Sequence, residues 1–177
     1  MPIDDPFARL PVVSAFALTS ETVSDGVELP TAQRSRIFGA PGGEDISPQL
    51  SWSGAPPSTR SFVVTMFDSD AATGSGFWHW VVKDIPVSTT SLPVDAGAPG
   101  STALPRGAVQ LPGDAGMPRY IGAAPPSGDT AHHYWITVWA LDIPTVEVPD
   151  TASAALLVNT MTPNLVGRAT LVPVASS

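Results

Sequence analysis

The sequence contains no cysteine. Disulfides, thiolate nucleophiles and cysteine-based zinc sites are therefore excluded together. A chain of 177 residues buries enough surface on folding to need no covalent cross-link. We predict a single domain over residues 1–177, in keeping with a reducing compartment.

Basic residues are also scarce. Lys83 is the single lysine, and the formal net charge is -8. Nucleic-acid binding depends on a basic surface that releases counterions, so we expect no nucleic-acid partner. An anionic membrane surface would also repel this chain at long range. Any anion that binds must therefore be captured by local geometry.

Long apolar runs are missing as well. No stretch approaches the roughly 18 apolar residues that a transmembrane helix requires, so we expect no transmembrane segment. The first six residues include Asp4 and Asp5, whereas a secretory signal begins with a basic segment and an apolar run. The expected location is the cytoplasm.

What the chain does contain is a series of short apolar and β-branched runs between segments rich in its 20 prolines and 15 glycines. These runs predict strands at residues 13–18, 62–67, 79–85, 134–141 and 168–174. One helix is predicted at residues 151–161, capped by Asp150 and ended by Pro163. The long loops between the strands are of the kind that carry function or are ordered by packing.

Titratable side chains lie at three of the predicted strand ends. Asp68 and Asp70 follow one strand, His79 opens the next, and His132 and His133 open a third. If these ends meet at one sheet edge, a protonated histidine can donate charge-assisted hydrogen bonds to an anion, and a nearby aspartate favours that protonated form. A purely structural role for each histidine is the competing interpretation.

Two other kinds of site are weighed against an anion pocket. Histidine and aspartate also bind metals, but no His-x-His or His-x-x-x-His spacing occurs, and we expect neither a metal nor a cofactor. The chain has no Gly-x-Ser-x-Gly segment. A Ser-His-Asp triad assembled in space stays open as the basis of a weak hydrolase.

Four segments, taken in order, resemble those of the phosphatidylethanolamine-binding proteins, whose bacterial members are the Raf kinase inhibitor-like proteins. The segments are DISPQLSW at 45–52, DSDAA at 68–72, GFWHWVV at 76–82, and YIGAAPP at 120–126 followed by HHY at 132–134. Order and spacing match from about residue 16 to 141, and more loosely to 174. The resemblance implies a mainly β fold, in which a large central β-sheet packs on a smaller one with few short helices.

The resemblance also implies a pocket and its ligands. Its ligand-binding residues would be Asp68, Asp70, His79, Ala124, Pro126, His132 and Tyr134. Family members bind phosphate, acetate or phosphoethanolamine-like headgroups there. Relatives inhibit kinases or serine proteases, and bacterial relatives often pair as homodimers. The implied function is non-enzymatic binding of a small anion, with modulation of a kinase or protease as a further role.

The chemistry of that pocket poses a question of charge. A fully ionised phosphate beside ionised Asp68 would be repelled. Either His79 and His132 are charged, or the phosphate keeps a proton and donates it to the carboxylate. Tyr134 offers a neutral hydroxyl donor.

The chain departs from the family pattern at three positions near this pocket. Ser69 and Ala72 stand where the family has prolines, which predicts a looser loop. Ala124 stands where many relatives have glycine, so its methyl group would either narrow the pocket or re-aim the backbone amide. Trp78 and Trp80 flank His79 and are both expected to pack in the core, on the opposite face of the sheet.

Overall fold

The computed structural model describes residues 4–177. Strands dominate it, with one short α-helix and two 3₁₀ turns. The strands are β1 (Ser14–Ala15), β2 (Ala17–Thr19), β3 (Leu50–Ser53), β4 (Ser61–Asp68), β5 (Phe77–Pro86), β6 (Ser91–Leu92), β7 (Val109–Gln110), β8 (His132–Leu141), β9 (Leu165–Leu171) and β10 (Val174–Ala175); helix α1 is Ala154–Met161, and the 3₁₀ turns are Thr31–Gln33 and Thr162–Asn164.

The strands form a large sheet and a small one. The large sheet has the order β1-β9-β8-β4-β5-β7, with β10 also pairing with β8, and the small sheet has the order β2-β3-β6. At its centre, β4 pairs with β8 along its full length, from Ser61 opposite Leu141 to Asp68 opposite Tyr134. The predicted fold class, a large central sheet packed on a smaller one, is confirmed.

Both faces of the large sheet are covered. On one face, the small sheet packs its Leu50, Trp52 and Leu92 against the central strands. On the other face, α1 and the segment around Phe7 pack against residues such as Trp139. Because β4 is buried on both sides, its sequence reads as a continuous apolar run rather than as an alternation.

A β-bulge interrupts β5 next to its first residues. Met66 lies opposite Trp80 and Phe67 lies opposite Trp78, so His79 is an extra residue with no partner on β4. The bulge turns the two tryptophans to different faces. Trp80 packs in the layer toward the small sheet, whereas Trp78 packs in the other layer. The expectation that both share the face opposite His79 was wrong for Trp80.

The predicted helix forms, but it begins later than the sequence indicated. Ser153 is the N-cap, and its hydroxyl accepts a hydrogen bond from the backbone N–H of Leu156. Asp150 therefore does not cap the helix; it lies in the preceding turn, in which the N–H of Ala152 donates to the carbonyl of Pro149. No helix among residues 4–177 is long and apolar enough to cross a membrane.

The single lysine lies inside the fold. Lys83 is 6% exposed, and its Nζ lies 2.6 Å from Oδ2 of Asp84. The other oxygen of Asp84 accepts a hydrogen bond from the N–H of Val146. This ion pair fixes the end of β5 to the segment that follows β8, and it leaves no lysine on the surface to attract an anion.

Candidate functional site

The central strands bring four polar side chains to one end of the large sheet. Asp68 ends β4 and lies opposite Tyr134 of β8. His132 lies two residues before Tyr134 and therefore shares its face. The bulge in β5 adds His79, whose ring packs edge-on to that of Tyr134 at 5.3 Å between centroids.

These side chains line a cavity of about 340 Å³. The volume suits a small ligand, at the low end of the usual range for small-molecule sites. The lining residues are Phe38, Asp68, Ala71, Ala72, Thr73, Phe77, His79, Ala124, Pro126, His132 and Tyr134.

Asp68 is buried, and both of its carboxylate oxygens have partners. Oδ1 accepts hydrogen bonds from the backbone N–H groups of Asp70 at 2.8 Å and Ala71 at 3.1 Å. Oδ2 lies 2.8 Å from Nδ1 of His132. One side chain thus shapes the loop after β4 and orients an imidazole of the cavity.

The loop after β4 is held in place without the two prolines. In addition to the bonds from Asp68, the hydroxyl of Ser69 accepts a hydrogen bond from Nε1 of Trp135 at 3.1 Å. A proline at that position would offer no hydroxyl. The looseness expected from the loss of the prolines is therefore opposed by a contact that Ser69 itself supplies.

His132 is set up to carry a positive charge. Burial lowers its pKa, but the hydrogen bond to Asp68, the charge of Asp68 and a contact with Asp129 outweigh burial and raise the pKa above the usual 6.5. Nε2 of His132 lies 3.4 Å from Oδ2 of Asp129. A bound anion at Nε2 would therefore meet a carboxylate that already occupies this side of the ring.

His79 differs from His132 in its protonation. Its Nδ1 lies 3.0 Å from the carbonyl oxygen of Ile121. Since a carbonyl oxygen only accepts, Nδ1 carries the proton. Burial lowers the pKa of His79 below 6.5 and outweighs the attraction of Asp68. The neutral ring is therefore favoured, and in this tautomer the lone pair lies on Nε2.

Tyr134 places a hydroxyl beside the carboxylate of Asp68. The hydroxyl is buried and makes no hydrogen bond of normal geometry with any described residue, but it lies close enough to Asp68 for an interaction with that carboxylate to contribute to its raised pKa. Burial, followed by the charge of Asp68, raises its pKa above the usual 10. The group is therefore a neutral O–H beside the cavity, and a buried polar group without a partner carries a free-energy penalty that a ligand can remove.

A buried aspartate, Asp45, holds the rim of the cavity. From the sequence it was identified only as the first residue of the DISPQLSW segment, without a role. Oδ1 of Asp45 accepts a hydrogen bond from the N–H of Gly122 at 2.8 Å, and Oδ2 accepts one from the N–H of Ile37 at 3.0 Å. At Gly122 a Cβ would lie 2.3 Å from the carbonyl carbon of Arg34. Glycine is required there because the two rim segments approach so closely.

The structure places all but one of the residues assigned to the pocket along the cavity. Asp68, His79, Ala124, Pro126, His132 and Tyr134 line it. Asp70 does not; its Oδ2 instead lies 2.8 Å from Nδ1 of His133 and accepts the N–H of the same residue. That pair lies beside the loop, outside the cavity lining.

Two aromatic lining residues were missed from the sequence. Phe77 lies two residues before His79, and their rings are 4.8 Å apart, so its place on the same strand was a usable signal. Phe38 lies in a Gly/Pro-rich stretch with no periodicity, and it packs edge-on to Phe77 at 6.0 Å. Among residues 4–177, no cluster of three or more His, Asp or Glu side chains could hold a metal ion.

The fold and the site define a two-sheet β domain with a small cavity, lined by apolar and a few polar side chains, at the ends of its central strands. The particular family follows from the sequence: the model of the phosphatidylethanolamine-binding protein family matches residues 19–175, and the chain belongs to that family. The resemblance seen in the four sequence segments is confirmed.

Relatives with high identity cover most of the chain. The UPF0098 protein YbcL of Escherichia coli K12 is 45% identical over 161 residues, which is 91% of this chain and 87% of YbcL. YbhB of the same strain is 46% identical over 142 residues, covering 79% of this chain and 87% of YbhB.

Solved structures agree with the fold. The crystal structure of E. coli YbcL superposes with a TM-score of 0.88 at 44% identity, covering 92% of this chain and 98% of that one. A carboxypeptidase Y inhibitor, solved with its cognate proteinase, shares the fold at a TM-score of 0.53 and 19% identity, covering 92% and 83% of the two chains.

We expect the histidines of the cavity to titrate on opposite sides of pH 6.5. His132 should titrate above this value because of Asp68, and His79 below it because of burial. The measurement is a pH series of imidazole ¹⁵N and ¹H shifts. The chain has three histidines, so signals can be assigned by single substitutions. In Asp68→Asn the pKa of His132 should fall, and an unchanged value would contradict this account.

The two shifts act on stability in different pH ranges. The raised pKa of His132 contributes stability that is complete below pH 6.5 and is lost as pH rises through the native pKa. The lowered pKa of His79 costs stability as pH falls below 6.5, because the unfolded chain binds a proton that the native state does not.

Proposed function

We propose that this protein reversibly binds a small anion of the phosphate or carboxylate type, such as a phospholipid headgroup, without converting it. The observation that carries the proposal is the buried hydroxyl of Tyr134, which has no partner among residues 4–177. It lies in the same small cavity as His132, whose raised pKa favours the imidazolium.

The balance of donors and acceptors in the cavity favours an anion over a cation. A cation would be expected to bind the acidic side chain of the described lining, which is Asp68. The two oxygens of Asp68 already accept three hydrogen bonds, so a cation would have to compete with those donors. An anion would accept from Tyr134 and, by displacing Asp129 from Nε2, from His132, and the second of these bonds is strengthened by charge.

The lining residues also favour binding over hydrolysis. The pair of Asp68 and His132 resembles two members of a triad, but a nucleophile is missing beside it. Besides Tyr134, Thr73 contributes a hydroxyl group to the described lining. This hydroxyl donates a hydrogen bond to the carbonyl of Gly76. No described lining residue offers a serine for acyl or phosphoryl transfer.

Replacing His132 should weaken anion binding, whereas replacing its neighbour His133 should not. We expect His132→Ala to weaken the binding of inorganic phosphate at least tenfold at pH 6, because the charged donor is lost. His133→Ala is the matched control, since His133 contacts Asp70 outside the cavity lining, and its affinity should stay within twofold of wild type. Isothermal titration calorimetry measures both; equal affinities of the three proteins would refute the site.

Replacing Asp129 should strengthen anion binding. In Asp129→Asn, the carboxylate at 3.4 Å from Nε2 of His132 no longer repels the ligand. Two unit charges 4 Å apart repel by about 1 kcal/mol in water, which corresponds to roughly fivefold in affinity. The titration is run at pH 6, where Asp68 still favours charged His132.

Asp150→Asn controls for the change in net charge. Asp150 is exposed and precedes α1, which packs on the other face of the large sheet. Its affinity for phosphate should equal that of wild type. A fivefold gain in both variants would mean that long-range charge, not the contact at His132, sets the affinity.

A second candidate function is contact with a protein partner, of the serine protease or kinase type, at the mouth of the cavity. Ile37 and Phe38 are 42% and 50% exposed, and Phe38 also lines the cavity. Exposed aromatic and aliphatic side chains beside a pocket are typical anchors of protein interfaces. The Asp45 carboxylate holds this segment in place through the N–H of Ile37.

The double variant Ile37→Ser/Phe38→Ser tests the second candidate. Wild-type protein is assayed as an inhibitor against panels of purified serine proteases and protein kinases. We expect inhibition of at least one enzyme by wild type and at least a tenfold loss in the variant. Val12→Ser/Val87→Ser, which also removes two exposed apolar side chains, should inhibit as wild type does. An active double variant would exclude this surface.

A further inference from the structure

A groove lies on the side of the large sheet that faces α1, away from the cavity. Its volume is about 630 Å³, which is within the range of small-molecule sites. The sheet contributes Phe67 and Trp78 to its floor, and the N-terminal segment and α1 form its walls. Phe67 and Trp78 directly precede Asp68 and His79 of the cavity in sequence, but the two linings share no residue. The groove is therefore a separate space on the opposite face of the same strands.

The floor of the groove is aromatic. The ring centroids of Phe67 and Trp78 are 4.5 Å apart, and that of Phe7 lies 5.9 Å from Phe67 and 6.1 Å from Trp78. Part of the Trp78 side chain stays accessible, whereas the other four tryptophans are buried. A flat ring that packs on this floor would bury a large apolar area and gain ring-to-ring contacts.

The N-terminal wall is held in place by Arg168. Its Nη2 donates to Oδ2 of Asp5 at 2.7 Å, and its Nη1 donates to the carbonyl of Phe7 at 3.4 Å. The guanidinium also lies 5.7 Å from the ring centre of Phe7. The same carbonyl of Phe7 accepts the N–H of Leu10 at 3.0 Å, which closes a turn. Because these contacts form the wall in advance, a ligand does not have to order it on binding.

The charge of the groove is opposite in sign to that of the chain. Its described lining contains Arg9 and neither aspartate nor glutamate, although the chain has 16 acidic and 8 basic residues. Arg9 is exposed, and none of the ion pairs among residues 4–177 includes it. The opposite wall, α1, carries no charged residue, but Asn159 adds an amide that can donate a hydrogen bond. An anionic group would therefore find one free cation and no repelling carboxylate in the lining.

We propose that this groove binds a small aromatic carboxylate, whose ring packs on Phe67 and Trp78 and whose carboxylate pairs with Arg9. The assignment is independent of the anion binding proposed for the cavity. An inorganic anion would leave the aromatic floor exposed to water, and an organic cation would be repelled by Arg9. An aliphatic carboxylate would lose more conformational freedom than a rigid ring when it packs on the floor.

The first test compares three ligands by calorimetric titration of the full chain at pH 7. We expect 2-naphthoate to bind at least fivefold more tightly than 2-naphthamide, which lacks the charge, and octanoate, which lacks the rings. Equal binding of the naphthamide would overturn the role of Arg9. Equal or tighter binding of octanoate would overturn the aromatic assignment, and no measurable binding of 2-naphthoate would overturn the site.

The second test locates the bound naphthoate by NMR. The indole N–H signal of Trp78, assigned with Trp78→Phe, should shift during the titration, whereas the imidazole signals of His132 should not. Shifts at His132 with none at Trp78 would place the ligand in the cavity. That result would overturn this inference and leave the function proposed for the cavity intact.

Three substitutions of exposed residues, each of which makes the net charge more negative by one, complete the design. Arg9→Gln removes the cation of the groove, and Asn159→Asp adds a carboxylate to its lining. Both should weaken 2-naphthoate at least fivefold. Arg106→Gln is the matched control, because Arg106 is exposed in the loop before β7 and outside the groove lining, and its affinity should stay within twofold of wild type. Equal affinities of all four proteins, or equal losses in all three variants, would overturn the pairing with Arg9.

Discussion

The carboxylate of Asp68 connects the fold to the chemistry of the cavity. It is placed by the central strand pair, since β4 and β8 run in register until Asp68 faces Tyr134. One oxygen holds the loop after β4 and the other holds His132. Burial makes these bonds strong and also makes the loss of any one partner costly. The neighbouring side chains are thereby fixed before a ligand arrives.

The pKa values of two histidines near the same carboxylate are shifted in opposite directions, and their surroundings explain the difference. His132 gives its Nδ1 proton to a charged partner, so its imidazolium is favoured; His79 gives the same proton to a neutral carbonyl inside an aromatic environment, so its neutral form is favoured. In a chain of net charge -8, the cavity therefore combines one histidine for which the charged form is favoured with one for which the neutral form is favoured.

The sequence was most informative where strands are fully buried. The apolar runs of β4, β5 and β8 predicted the central strands. The four family segments indicated six of the lining residues and, wrongly, Asp70; the lining residues that were not assigned to the pocket are Phe38, Ala71, Ala72, Thr73 and Phe77. The sequence was silent about the bulge at His79, because a register shift depends on pairing between strands and leaves no periodic trace. The cap at Ser153 was missed for a related reason: Asp150 and Ser153 are both good caps, and a turn at Pro149 decides between them.

The buried lysine has a consequence for how this protein reacts. The chain has a single lysine side chain, and its ammonium is enclosed by Asp84 and the carbonyl of Val146. Acylating reagents, and enzymes that attach groups to lysine side chains, therefore find no such amine on the folded surface. Modification of Lys83 requires the end of β5 to separate from the segment after β8. The rate at which Lys83 is modified would therefore measure how often this contact opens by local unfolding.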